Sequence, residues 1–460
     1  MEEQKKERFS GRLGFILISA GCAIGIGNVY KFPIWTGAFG GGIFVGIYIL
    51  CLLLLGLPVM CCELAVGRAS GASIATSFRR LEKPGQKWHG MQYLGIAANY
   101  ALLLSYTYIC GWFTVYFVKY LTGSILTAGT VEEISTVFYG MAGSFNVNYF
   151  VNLGVVVLCL GICAFGLQNG VERIVKVMMA LLFLLLLGLA VYSLTLPGAK
   201  EGLQFYLVPD AARAASVGWG TVISKAMEQA FFTLSLGIGS IAIFGASIGK
   251  ERRLMRESGT IIVLDTAAAL LAGLFLFPAY FTYNTVAPVA GDGNPLFLFL
   301  TESAVFNNMP GGRIIGALFF LLMVFACYST VIAVMENIVN FWLEKTQLSR
   351  KKIVGINMIL FAAVLLPVAL GVCGKGIFAS LPLFNRSVDG LCDDFVSKLA
   401  LPLGSLLYVV FCTGRYGWGW DGFYKEVNTG SGPKLPGWLK NYMRFVLPCI
   451  IAVILVLSFI

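Results

Sequence analysis

Gly21-Cys22-Ala23-Ile24-Gly25-Ile26-Gly27-Asn28 lies in the middle of an apolar run, 13–37, that is long enough to cross a membrane. Three glycines in seven residues is not a composition that an ordinary helix selects, because each interior glycine costs up to about 1 kcal/mol against alanine. A second cluster, Ser235-Leu236-Gly237-Ile238-Gly239-Ser240, occupies the middle of the apolar run 220–246. Small residues also let membrane helices pack closely. Two clusters at corresponding places in two membrane runs are better read as paired helix breaks, the pattern of a midplane binding site.

Around these two runs the chain supplies nine more. A membrane helix takes about 20 predominantly apolar residues, and runs of that size fall near 43–66, 93–123, 149–167, 172–195, 258–284, 313–342, 353–373, 396–414 and 442–460. The reading is an all-α polytopic membrane protein with eleven transmembrane helices, numbered below as spans 1–11 in chain order. Spans 1 and 6 are five apart. Five is odd, so helices 1–5 and 6–10 enter the membrane from opposite sides: a 5+5 inverted repeat with helices 1 and 6 unwound at the midplane, plus helix 11. The corresponding divisions are an N-terminal gate segment 1–12, a first repeat 13–195, an outer loop 196–219, a second repeat 220–414, and an inner loop with helix 11 over 415–460.

Composition agrees. Of 460 residues 58% are apolar and only 12% charged, with a mean hydropathy of +0.82, whereas soluble domains carry roughly 25% charged residues. A soluble enzyme, a nucleic-acid binder and a disordered chain are excluded. The net charge of +10 is a topology signal: 24 of the 33 Lys and Arg fall in the N-terminal segment and the alternate loops that share its side. That bias puts the N-terminus in the cytoplasm and the C-terminus outside, in the plasma membrane, with no cleavable signal peptide expected. The single histidine, His89, leaves little room for histidine catalysis or a histidine metal cluster. Most of the twelve cysteines lie in apolar runs and read as buried thiols; only Cys373 and Cys392 lie near an outer loop where a bridge is an option.

A broken helix exposes backbone groups that lipid cannot satisfy, so they must face ligand, ion or water. The N-terminus of a half-helix offers N–H donors and a positive dipole end to an anion, and freed carbonyls suit a hard cation. One broken pair therefore accommodates an anionic substrate group and a small cation together.

Arg12-Leu13-Gly14-Phe15, Gly25 to Pro33, Gly40-Gly41-Gly42 and Glu63 to Arg68 resemble the neurotransmitter:sodium symporter family. Phe231 to Gly239 resembles the family's second unwound helix, and the likeness runs from about residue 6 to the end. Eleven helices make the chain similar to the family's bacterial sodium-coupled hydrophobic amino-acid transporters. The resemblance implies two sodium ions. The first would take the Ala23 carbonyl, Asn28, Thr233, Asp265 and the substrate carboxylate. The second would take carbonyls of Gly21, Ile24 and Ala326 with the hydroxyls of Ser329 and Thr330. It also implies that the substrate carboxylate meets the N–H groups of Ile26 and Gly27 and the Tyr106 hydroxyl. The ammonium would face carbonyls around Ala23, Phe232 and Thr233, and Ser235. Leu102, Phe232, Ile238, Thr330 and Val334 would line the side-chain pocket. Without the family, Tyr106 and Thr330 read as a packed tyrosine and a helix-packing hydroxyl.

Gly25 stands where the family's monoamine carriers have aspartate, which favours a substrate that brings its own carboxylate. Asp265 would supply the negative charge that animal members draw from chloride. Gate pairs are expected between Lys31 and Asp394 outside and between Lys6 and Glu344 inside. The chain departs from the pattern at Phe9 for tryptophan, Gly46 for proline, Ser247 for tyrosine, and Ala180 at the proline of the span 5 Gly-x9-Pro motif that starts at Gly170. The expected partners are a small amino acid, sodium and the lipid bilayer, and no nucleic acid. The competing reading is an amino-acid-binding receptor or channel-like protein that keeps the fold without coupled transport. Nothing in the sequence suggests an enzyme.

Overall fold

A computed structural model describes residues 9–125, 131–283, 295–382 and 384–459, and among these the regular secondary structure is helical, with three isolated bridges. Among the described residues nine helices are long and apolar enough to cross a membrane: Gly42–Ser70, Trp88–Thr122, Val147–Ala164, Leu167–Leu194, Leu254–Tyr283, Gly312–Lys345, Arg350–Val372, Val388–Thr413 and Leu439–Leu457. They match spans 2–5 and 7–11. Span 1 is the pair Arg12–Ala23 and Gly27–Ala38, bent by 56°. The sixth expected crossing falls on two shorter helices, Trp219–Thr233 and Ala242–Ala246, separated by turns. Neither piece reaches the length of a span alone, so ten of the eleven expected crossings stand as long helices or a bent pair.

Proline shapes several spans in the same way. Six wide π-helical turns occur among the described residues, and four of them, Gly27–Lys31, Leu52–Gly56, Phe395–Ala400 and Tyr442–Val446, end two residues before Pro33, Pro58, Pro402 and Pro448. Proline has no N–H to give the preceding turn, and a widened turn is one way for the helix to pass through the gap. The turn at Leu167–Glu172 has no such proline; Gly166 precedes it at φ 88°. Beyond it Arg173–Leu194 runs unbroken through Ala180. At Gly46 a Cβ would touch nothing within 4 Å, and the distortion of span 2 lies further on, before Pro58.

Span 8 is the most buried of the nine long helices, at 83% over its most apolar stretch. Span 2 packs backbone to backbone on the shorter piece of span 6, Ala242–Ala246. A Cβ at Gly67 would run into the Ala242 carbonyl, and one at Gly245 would lie 2.5 Å from the Leu64 carbonyl. The expected outer loop 196–219 is itself structured as Ala199–Leu207 and Ala211–Val217, the latter capped by Asp210 accepting from the Arg213 N–H at 2.9 Å. That bond, with the Arg213 guanidinium beside it, holds the Asp210 carboxyl below its usual range. Cys373 and Cys392 are free thiols, so the optional bridge is not formed; Cys373 instead accepts from Asn148 Nδ2 at 3.3 Å.

Candidate functional site

The two breaks face each other. Helix Arg12–Ala23 stops at Ile24, whose backbone turns extended. On the other side, Ser235 at φ 49°, Gly237 at φ 92° and Gly239 at φ 83° take the chain through left-handed turns that a helix cannot contain. Gln229 Nε2 donates to the Gly27 carbonyl at 2.7 Å, and Ser235 Oγ donates to the Cys22 carbonyl at 3.4 Å. Glu63, fully buried on span 2, secures the second break. Its carboxylate accepts from the N–H groups of Gly237 at 2.7 Å, Ile241 at 3.1 Å and Ala242 at 3.4 Å. A carboxylate at the start of a half-helix is favourable for both its charge and its hydrogen bonds.

Asp265 projects from span 7 into the first break with no exposed surface. Asn28 Nδ2 donates to its Oδ1 at 2.8 Å, Thr233 Oγ1 lies 3.0 Å from the same oxygen, and Tyr48 Oη donates to Oδ2 at 3.2 Å. The Asn28 amide oxygen accepts from the Gly25 N–H at 3.0 Å, which ties it into the broken segment. A few residues away, Thr330 Oγ1 lies 3.2 Å from the Gly21 carbonyl and 3.3 Å from that of Ala326, and Ser329 Oγ is 3.0 Å from Ala326 O. Two oxygen-rich clusters therefore flank span 1, each drawing on its broken backbone.

Between them lies a cavity bordered by Ala23, Gly25 and Gly27 on span 1, Leu102 and Tyr106 on span 3, Phe232, Thr233 and Ser235 on span 6, and Thr330 on span 8. Tyr106 Oη accepts from the Ile26 N–H at 3.1 Å. A Cβ at Gly25 would lie 2.6 Å from that hydroxyl and 3.0 Å from Thr330 Oγ1, so this wall tolerates no side chain. Ile238 and Val334, expected at the wall, are fully enclosed in the core and do not reach the cavity. Val396 and Leu401 of span 10 border the cavity as well. Sequence reasoning missed both, as well as Tyr48 and Gln229. Glu63 carried a signal, as an acid inside an apolar run.

The gates differ from expectation. Lys31 pairs with Glu228 on span 6, Nζ to Oε1 at 3.3 Å, and lies 4.6 Å and 4.3 Å over the rings of Trp35 and Phe232. Asp394 is engaged by Lys398 one turn along its own helix at 2.8 Å and by Arg386 at 3.5 Å. The expected Lys31–Asp394 pair is thus not formed, because each charge has a nearer partner. On the inner side Lys6 lies outside the described residues. Glu344 accepts from Ser73 N at 2.7 Å and Thr76 Oγ1 at 2.6 Å, so it holds the loop after span 2. The N-terminal segment is tied down by other pairs: Arg12 to Glu257 at 3.1 Å, and Ser10 N to Glu172 at 2.9 Å, with Lys176 on the same carboxylate. Phe9, in the tryptophan position, packs against the rings of Phe15 and Phe244. Ser247 is buried, its hydroxyl turned to the Ile243 carbonyl.

A family described as the sodium:neurotransmitter symporter family matches this chain over residues 6–131 and 128–460. The chain belongs to that family. It is accordingly a multi-pass membrane transporter rather than an enzyme, of a family that depends on sodium. An uncharacterised sodium-dependent transporter of Bacillus subtilis is 32% identical over 411 residues, covering 89% of this symporter and 88% of the relative. One from Methanocaldococcus jannaschii is 30% identical over 478 residues, covering 100% and 91%. Among solved structures, MhsT in complex with L-phenylalanine is similar at a TM-score of 0.84 and 31% identity, over 98% of this chain and 99% of that one. A likeness over 98% of the chain establishes the fold.

Proposed function

We propose that this protein couples the uptake of a hydrophobic L-amino acid to sodium by alternating access, with two sodium sites and no requirement for chloride. The observation that carries the reading is the convergence on Asp265: a carboxylate at membrane depth, without a Lys or Arg in hydrogen-bond contact among the described residues, surrounded by Asn28, Thr233 and Tyr48. Such a group needs a cation or a proton. Sodium entering there would draw on the Ala23 carbonyl, Asn28, Thr233, Asp265 and the carboxylate of the amino acid itself, so that ion and substrate bind together. The second ion would take the carbonyls of Gly21, Ile24 and Ala326 with Ser329 and Thr330, bridging the broken span 1 to the central span 8. A cation that stitches those two elements favours the conformation in which they touch.

The amino acid would present its carboxylate to the N–H groups of Ile26 and Gly27 and to Tyr106, and its ammonium to carbonyls around Ala23, Phe232 and Thr233 and to Ser235. Gly25 leaves no protein carboxylate at the amine end. Binding of L-phenylalanine by MhsT supports an amino acid as the ligand class. With the N-terminus in the cytoplasm and the C-terminus outside, transport runs inward down the sodium gradient, through the Lys31–Glu228 side and then past the N-terminal segment. The test is uptake of radiolabelled apolar amino acids into proteoliposomes. Accumulation is expected with sodium outside and none with potassium. Equal binding of leucine, isoleucine, valine, methionine, phenylalanine, tyrosine and tryptophan in the two salts would remove the coupling.

A further inference from the structure

We propose that span 10 sets the length of the substrate pocket through Leu401 and Val396, and that the pocket takes a branched aliphatic amino acid (valine, leucine or isoleucine) in preference to an aromatic one. The inference rests on the amino-acid reading above and narrows it.

Span 10 is brought to the cavity by two local devices. Pro402 cannot supply an N–H, and the helix before it widens into the π-helical turn Phe395–Ala400, which separates Val396 from Leu401 and aims both at one cavity. Such turns are frequent at functional sites. The second device is a glycine contact between backbones. A Cβ at Gly404 would run into the Gly237 carbonyl, and one at Gly237 would lie 2.5 Å from both the Leu401 carbonyl and the Ser405 nitrogen. Span 10 is therefore seated directly on the broken segment of span 6, at the turn where Gly237 holds φ 92°. Leu401 is 3% exposed and borders the cavity, and its backbone, pressed on the turn at Gly237, cannot withdraw from the cavity without separating the two spans.

The chemistry of the wall favours an aliphatic branch. Leu102, Val396 and Leu401 are aliphatic, and the Thr330 hydroxyl is engaged by the Gly21 and Ala326 carbonyls. The two rings at the cavity are already committed. Tyr106 is fixed through its hydroxyl to the Ile26 N–H. Phe232 carries Lys31 at 4.3 Å, and its edge lies 3.1 Å from where a Gly27 Cβ would be. An aromatic ligand gains from offset or edge-on ring pairs and would find neither ring free to rearrange, while its length would press on Leu401.

The experiment is competition against sodium-dependent binding of radiolabelled leucine by the purified full-length protein, with valine, leucine, isoleucine, phenylalanine and tryptophan as competitors. It is run on wild type, Leu401→Ala and Val396→Ala, with sodium affinity measured in parallel to confirm that each variant is folded. Wild type is expected to bind the branched aliphatic group at least about tenfold more tightly than the aromatic pair, the scale on which apolar pockets discriminate by size. Leu401→Ala should cut that ratio at least about fivefold, mainly by tighter phenylalanine and tryptophan binding, with Val396→Ala moving the same way by less. Equal or tighter aromatic binding by wild type overturns the proposal, as does an unchanged ratio in both variants while sodium affinity is kept. Absence of sodium-dependent binding of any amino acid by wild type would instead remove the functional reading, and this inference with it.

Discussion

Asp265 accepts side-chain hydrogen bonds from Asn28, Thr233 and Tyr48 at a depth where an isolated carboxylate costs roughly 2.5–3.5 kcal/mol on insertion scales. If that charge stands in for an anion beside the first sodium, wild-type uptake will be the same in chloride and in gluconate. Asp265→Asn will lose at least about tenfold of its uptake in gluconate. A chloride requirement in the wild type, or full activity of the variant in gluconate, would refute this role. Ser329 and Thr330 lead to a second expectation. Removing both hydroxyls as alanines should weaken sodium at least about tenfold, or 1.4 kcal/mol, since each bond to a charged group is worth about 1.5–3 kcal/mol; sodium titration of substrate binding reads it. Gly25 gives a third. Its Cβ position lies 2.6 Å from Tyr106 Oη, so Gly25→Ala should displace the hydroxyl that receives the Ile26 N–H. Substrate affinity should then fall about tenfold or more, with sodium affinity less affected.

At the scale of elements, the broken halves of span 6 are held by one side chain. Glu63 receives three backbone N–H groups that no helix hydrogen bond serves, and a buried donor left unsatisfied costs about 1–3 kcal/mol. Glu63→Ala should therefore destabilise the protein by at least about 2 kcal/mol in thermal unfolding, whereas Glu63→Gln, which keeps an acceptor oxygen, should recover part of the loss. Equal midpoints for alanine and wild type would show that the break supports itself. The breaks themselves were legible in the sequence because glycine clusters inside apolar runs have no cheap helical explanation. The side chains around them were only partly so. The family resemblance placed Ile238 at the pocket, but it sits between the two left-handed turns at Gly237 and Gly239 with its side chain in the core, while its carbonyl receives Asn99 Nδ2 at 2.9 Å. Glu228 offered no pattern, and becomes Lys31's partner because spans 1 and 6 cross at their breaks.

Across the whole molecule, charge is confined to the ends of spans and to the sites, with a few exceptions that need a reason. Glu302, on the helix Pro295–Asn308, is 4% exposed and its Oε2 has no hydrogen-bond partner among the described residues. Burial pushes its carboxyl up to about 8. The folded protein then keeps a proton that the unfolded chain gives up near 4.5, so this group lowers stability progressively as pH rises from 4.5 to 8, and no further above that. Glu302→Gln should raise the unfolding midpoint at pH 8 by the equivalent of at least about 1 kcal/mol, with the gap closing toward pH 4.5. A gap that is constant with pH would show that the carboxyl does not titrate in this window.

Composition and periodicity alone were enough for an all-helical membrane protein with two interrupted spans, because the cost of exposing backbone to lipid leaves few other ways to arrange such a chain. The oxygen-donor residues could be named through the family resemblance, because each sits in a short local motif around a break. What only the tertiary structure decided is which side chains meet across spans that are distant in sequence. Lys31 finds Glu228 rather than Asp394, Tyr48 reaches Asp265 across 217 positions, and Pro402 with Gly404 seats Leu401 against the turn at Gly237. Those contacts depend on the rotation of each helix about its own axis. A π-helical turn or a left-handed glycine alters that rotation by a fraction of a turn, and an apolar membrane helix, hydrophobic on every face, carries no amphipathic stripe from which to read it.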